Sequence, residues 1–258
     1  MTRITVAALL LTIPLQVDGS PCDASEKWEQ AIAAKGGREK LESIRTFFWS
    51  GEMTVWHGLS RKKHIDQELY VLPNFAWSYH QNTHPGLGSN VVFEYLDRGY
   101  SLNTNDSPPG FSRPIPKSGA FAGYLAILLM ETRWTKPKLE KCTTAESTQE
   151  EVIEALFNEK RYDFHFARGE QLPSRVTDSV ALGIIETTFS GYKAFNGIVL
   201  PTLVQQISPA PLNQKIVLDL KMRYEINPEV PSGLIDSDPT LTMAPEGWRK
   251  VKSNGKTH

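Results

Sequence analysis

The chain has 258 residues, 28 Lys and Arg against 29 Asp and Glu, a formal charge of −1 and 40% hydrophobic residues. That balance is an ordinary globular one, and it supplies no field for holding a polyanion, so nucleic acid is excluded as an expected partner. The long apolar run free of charge, Ile4 to Val17, is about 14 residues, short of the roughly 20 that a membrane-spanning helix needs.

Arg3, the apolar run and the small residue Gly19 have the order of a secretory signal, so residues 1–19 are expected to be a signal peptide and residues 20–232 a single exported domain. Cys22 follows closely, but Pro21 directly before it argues against lipid attachment there. In an oxidising compartment Cys22 and Cys142 can pair; the alternative is an unpaired Cys142 in a polar loop. Two cysteines without neighbouring His make no zinc site, and no cofactor or metal is expected.

Trp28, Ala31 and Ile32 recur at helical spacing behind Ser25, and Gly36-Gly37 ends that helix near Lys35. A short helix is predicted over Arg38–Ile44. From Arg45 the period changes to two. Phe47, Trp49, Met53 and Val55 alternate with Thr46, Ser50, Glu52 and Thr54, and Ile65, Leu69 and Val71 with His64, Asp66 and Glu68, across a turn at His57–Ser60. Phe75, Trp77 and Tyr79, then Val91, Phe93 and Tyr95, continue the pattern, which predicts a meander of antiparallel strands sharing one aromatic face. Thr104–Lys117, rich in proline, is expected to be irregular.

Ala120–Arg133 reads as a helix that is apolar nearly all round, with Phe121, Leu125 and Leu129 among its residues, and such a helix has to be covered on most sides. A polar loop is expected from Lys136 through Ser147. Strand patterns then resume through Tyr162, Phe164 and Phe166, and end in the regular alternation of Leu220, Met222 and Tyr224 over Ile216–Ile226. The expected fold class is therefore mainly β with α (α+β): one curved antiparallel sheet, a half-open barrel, wrapped over the apolar helix, with a β-sandwich as the rival. Residues 233–258, poor in apolar anchors, are expected to form a loose tail.

Catalytic signatures are absent: there is no Gly-x-Ser-x-Gly elbow, no phosphate loop and no His-Glu-x-x-His. Gly86-Leu87-Gly88 lacks the third glycine of a dinucleotide loop. His80 and His84 belong to a strand end and loop, and His57 and His64 flank one hairpin turn beside Lys62 and Lys63, which would repel a cation. What remains is the aromatic load of the sheet. A curved sheet that one helix does not fill leaves an apolar cavity, for which Phe47, Trp49, Met53, Val55, Leu69, Val71, Phe75, Trp77, Tyr79, Phe93, Tyr95, Phe121, Leu125, Leu129, Phe164, Phe166, Leu220, Met222 and Tyr224 are the candidate lining.

Two motifs carry a family resemblance. Trp28-x-x-Ala31-Ile32-x-Ala34-x-Gly36-Gly37-x-x-x-Leu41-x-x-Ile44 running into a strand resembles the start of bacterial exported proteins with the LolA-like fold. Gly191-Tyr192-Lys193-x-x-x-Gly197-Ile198-x-Leu200-Pro201, with the long strand ending at Ile226-Asn227-Pro228, resembles their closing segment. Over about 25–230, the resemblance implies a half-barrel with helices in its mouth that binds acyl chains or lipidated protein segments without a cofactor. It points to a non-enzymatic periplasmic carrier acting in outer-membrane biogenesis. The alternatives are a sensor or envelope-assembly module with a filled core, bound to an envelope protein, and a hydrolase using the histidines.

Overall fold

A computed structural model describes residues 22–57, 60–73, 75–82, 89–95, 99–103, 112–115, 120–145, 147–157, 159–181, 183–210 and 214–230. The expected signal segment 1–19, the His84 and Gly86-Leu87-Gly88 positions and the 233–258 tail lie outside them.

The chain opens with α1 (Ala24–Ala34), capped one step earlier than Ser25 by Asp23, whose carboxylate accepts the N–H groups of Ser25 at 2.8 Å and Glu26 at 3.0 Å. α2 (Arg38–Glu42) follows the Gly36-Gly37 break. Six strands come next: β1 (Thr46–His57), β2 (Ser60–Val71), β3 (Phe75–Asn82), β4 (Ser89–Tyr95), β5 (Gly99–Asn103) and β6 (Ser112–Ile115). After α3 (Ala120–Leu129) come β7 (Lys138–Ala145), β8 (Glu150–Phe157), β9 (Lys160–Phe166), β10 (Arg175–Val180) and β11 (Gly183–Ser190). β12 (Lys193–Phe195), β13 (Ile198–Leu200), β14 (Leu203–Ala210) and β15 (Gln214–Ile226) complete the chain. Thirteen strands form one antiparallel sheet in the order β6-β5-β4-β3-β2-β1-β15-β14-β11-β10-β9-β8-β7, and β12 and β13 form a separate hairpin.

Two irregular segments are strands after all. The polar stretch after Lys136 contains β7, which carries Lys138, Glu140 and Lys141 and closes one edge of the sheet. An edge strand needs no apolar alternation, and its charges deter pairing with another chain. The proline-rich stretch contains β6 at the other edge, where Pro114 is tolerated because an edge strand has an N–H to spare. α3 also stops four residues short of Arg133, at Met130, whose φ of 64° breaks the helix.

The larger correction concerns the faces. Side chains directly opposite each other in an antiparallel ladder project to the same side. The β1–β2 hairpin pairs His57 with Ser60, which puts odd-numbered β1 residues opposite even-numbered β2 residues. Trp49 therefore shares its face with Glu68 and with Tyr224, whereas Leu69 shares the opposite face with Phe48 and Trp77. The aromatic strands carry two apolar faces and not one.

On the first face Phe47, Trp49, Tyr70, Met222 and Tyr224 belong to the main buried cluster. The same cluster takes in Trp28 and Ile32 of α1, Leu41 of α2, Leu125 to Leu129 of α3, and Phe157, Tyr162, Phe164 and Phe166. Trp28 meets Phe164 edge-on with centroids 5.1 Å apart, a favourable aromatic geometry. On the second face Phe48, Leu69, Phe75, Trp77 and Tyr79 form their own buried cluster, joined by Val71 and Val230. Val230 lies four residues beyond β15, in a segment tied to the start of β1. Asn227 Oδ1 accepts from the backbone N–H groups of Arg45 at 2.6 Å and Thr46 at 3.1 Å, and Thr46 Oγ1 donates to the Pro228 carbonyl at 2.8 Å.

Candidate functional site

The first face changes character along its strands. Phe47, Trp49, Leu220, Met222 and Tyr224 are buried, whereas Met53, Val55 and Leu218, farther along β1 and β15, are half-buried. The first group lies within the main buried cluster, where Phe195 of β12 meets Tyr224 edge-on with centroids 5.2 Å apart, whereas Met53 and Leu218 pack against that cluster and stay only partly buried. Beside this apolar strip, β2 and β3 place a titratable row on the same face: His64 stands opposite Met53, then Asp66, Glu68 and His80. Glu68 accepts from Trp49 Nε1 at 2.9 Å and from the Tyr70 hydroxyl. Asp66 pairs with His80 Nδ1, and the His64 and His80 rings lie 4.5 Å apart. The hydrogen bond to Asp66 raises the His80 pKa above the ordinary histidine value.

His80 thus has a carboxylate partner that its own stretch of sequence does not show, because Asp66 faces it across the ladder. His64 stands opposite Met53 and not opposite His57. Among the described residues no group of three or more His, Cys, Asp or Glu side chains is arranged to hold a metal ion.

The helices are tied together by buried polar groups. Lys35, 1% exposed, sends its ammonium group to the Leu128 carbonyl at 2.5 Å, near the C-terminal end of α3 where backbone carbonyls lack helical partners. Burial pushes the Lys35 pKa down to about 7. Just beyond α3, buried Glu131 receives Arg38 of α2 and, at 3.4 Å, the indole N–H of Trp28 of α1. Lys136 then bridges toward Glu42 at 2.9 Å. A disulfide joins Cys22, ahead of α1, to Cys142 in β7, with Cα atoms 5.4 Å apart.

Of the candidate lining, Phe47, Trp49, Met53, Leu125, Leu129, Phe164, Phe166, Leu220, Met222 and Tyr224 come together in or against the main cluster, and Val55 projects from the same face. Leu69, Val71, Phe75, Trp77 and Tyr79 lie on the opposite face. Phe93 and Tyr95 stand opposite Trp77 and Phe75 in the β3–β4 ladder, but their side chains, like that of Phe121, lie outside the described residues.

The second face carries a separate groove of about 790 Å³ across β2, β1, β15, β14 and β11. Trp56, Arg61, Lys63, Asp219, Gln205 and Thr188 are among the side chains that project into it. Met53, His64, Phe189, Val204 and Leu220 also border it, although the register turns their side chains to the first face.

No family model and no curated protein matches the chain. Solved structures do. A DUF1329 family protein from Desulfovibrio piger aligns with a TM-score of 0.51 at 11% identity, over 81% of this chain and 95% of its own. A putative outer membrane lipoprotein-sorting protein domain from Vibrio parahaemolyticus has the same TM-score and identity over 83% and 98%, and a LolA superfamily protein from Nitrosomonas europaea over 81% and 96%. At that identity the likeness speaks of architecture alone, and it extends over about four fifths of this chain and nearly the whole of each solved chain: the fold is LolA-like.

Proposed function

We propose that this chain is an exported, single-domain binding protein without catalytic activity. Its sheet curves as a half-open barrel around α3, and its first face, the inside of that barrel, takes an acyl chain or the lipidated segment of another protein for carriage through the periplasm. The observation that carries this reading is the strip of half-buried Met53, Val55 and Leu218, where the apolar first face runs on past the buried Trp49 and Tyr224. Support comes from the LolA-like fold, which the Vibrio protein named for outer membrane lipoprotein sorting shares, and from a disulfide that suits an oxidising compartment. Residues 1–19 would be the export signal, 20–232 the domain and 233–258 a tail.

Burying about ten methylenes is worth roughly 8 kcal/mol at about 0.8 kcal/mol each, before immobilisation costs, so micromolar affinity is the expected range. The test is native mass spectrometry of protein purified without detergent, followed by titration with a fluorescent fatty-acid probe. Met53→Asp puts a charge on the open part of the strip and is expected to abolish probe binding while leaving the thermal melt near wild type.

A second reading is favoured by the burial of Leu125 through Met130, all of them members of the main cluster that also holds residues of the sheet and α1. If α3 fills the barrel, the protein is a sensor or envelope-assembly module that binds a protein partner. Absence of both co-purified lipid and probe binding selects it.

A further inference from the structure

The groove on the second face owes its depth to residue size. Across five neighbouring strands the register aligns Lys63, Thr54, Asp219, Gln205 and Thr188 in one row, so the floor between Lys63 and Thr188 is set by short or planar polar side chains. Four interstrand spacings of about 4.8 Å make that row roughly 19 Å long. Trp56, 36% exposed, and Arg61 rise beside it at the β1–β2 end, with the guanidinium 5.0 Å from the indole centroid. Asp219 is already committed, since Oδ2 accepts from Trp56 Nε1 at 2.9 Å and Oδ1 from Gln205 Nε2 at 2.7 Å. Among the described residues Arg61 and Lys221 are in no ion pair, although Glu52 stands opposite Lys221 in the ladder.

The surface is therefore a row of hydroxyl, amide, ammonium and carboxylate groups bordered by the apolar side chains of Ile65 and Leu203, with one indole wall and two cations in no ion pair. A chain of sugar rings fits its chemistry. Ring hydroxyls both donate and accept, as Thr54, Thr188 and Gln205 do, the C–H faces of a ring pack on an indole, and acidic substituents pair with Arg61 and Lys221. We infer that this groove binds a short acidic oligosaccharide, independently of whatever occupies the inner face.

The test is calorimetric titration of the full chain with galacturonic acid hexamer, with a neutral cello-oligosaccharide of equal length and with anionic phosphatidylglycerol vesicles. Saturable binding of the acidic hexamer that weakens at least tenfold with the neutral sugar supports the inference. The Arg61→Ala/Lys221→Ala double variant is expected to lose at least tenfold, and Thr54→Leu, which fills the floor without removing a charge, to lose a similar factor. Lys138→Ala/Lys141→Ala on the β7 edge removes the same charge elsewhere and is expected to change affinity less than twofold. Failure of the hexamer to bind at millimolar concentration overturns the inference. So does an equal loss in the β7 control, which marks unspecific charge attraction, or binding of vesicles in place of the sugar.

Discussion

The carbonyl oxygen of Gly197 occupies the space that a side chain on Gly36 would need. Gly36 ends α1 and Gly197 turns the β12–β13 hairpin, 161 positions later in the chain, so the two sequence motifs that resemble the LolA-like pattern meet in space. The contact is reinforced by Val199, whose N–H donates to the Lys35 carbonyl at 2.8 Å. Both glycines have positive φ, 118° at Gly36 and 77° at Gly197. A side chain at Gly36 thus meets strain in its own backbone and a backbone atom in front of it.

Gly36→Ala is expected to cost about 3 kcal/mol or more, the sum of an unfavourable φ and a displaced hairpin. Gly37, φ 94° with open space where its Cβ would go, provides the comparison, and Gly37→Ala is expected to cost about 1–2 kcal/mol. Urea unfolding of the two variants reads the difference, and equal costs would show that the Gly36–Gly197 approach is not tight.

Lys35 makes stability depend on pH. Its folded pKa of about 7 lies below the ordinary 10.5, so between these values the unfolded chain binds more protons and stability rises with pH. The penalty of burying the charge is fully present below about pH 7 and is relieved toward pH 10. Urea unfolding between pH 7.5 and 9.5 should show a slope approaching about 1.4 kcal/mol per pH unit, and Lys35→Met should flatten it. An unchanged slope in Lys35→Met would assign the dependence to another group.

The Cys22–Cys142 bond closes a loop of 120 residues and ties the start of the domain to the edge strand β7. By loop entropy its removal costs about 4–5 kcal/mol. A Cys22→Ser/Cys142→Ser variant is expected to melt well below wild type, and reductant should lower the wild-type melt without affecting the variant.

Trp77 separates the two faces. It is 1% exposed in the second-face cluster, so Trp77→Ala is expected to cost about 3–5 kcal/mol as a core truncation and yet leave fatty-acid probe affinity unchanged under folding conditions. A selective loss of probe binding with an unshifted melt would place the ligand on the second face instead.

Much of this architecture was legible in the residues. The alternation from Ile216 to Ile226 is strict, and Leu220, Met222 and Tyr224 lie on the core side, as read. What strand patterning leaves open is the phase between neighbours. Trp49 and Leu69 both look inward within their own strands, and only the two residues between His57 and Ser60 decide that they face opposite ways. The signal was present in Phe48 and Trp56, apolar residues at the even positions of β1, which a single-face reading has to ignore. β7 stayed hidden because an edge strand can be polar throughout, and the Asp66–His80 pair because it is made across a ladder.

Whether the first face takes an acyl chain decides the function. Fatty-acid probe titration of wild type, Met53→Asp and Trp77→Ala, each checked by thermal melt, asks the question directly. The account predicts saturable micromolar binding to wild type, loss of at least tenfold in Met53→Asp with a near-native melt, and retained binding in the destabilised but folded Trp77→Ala. No binding to wild type up to the solubility limit of the probe, or equal affinity in Met53→Asp, would contradict it.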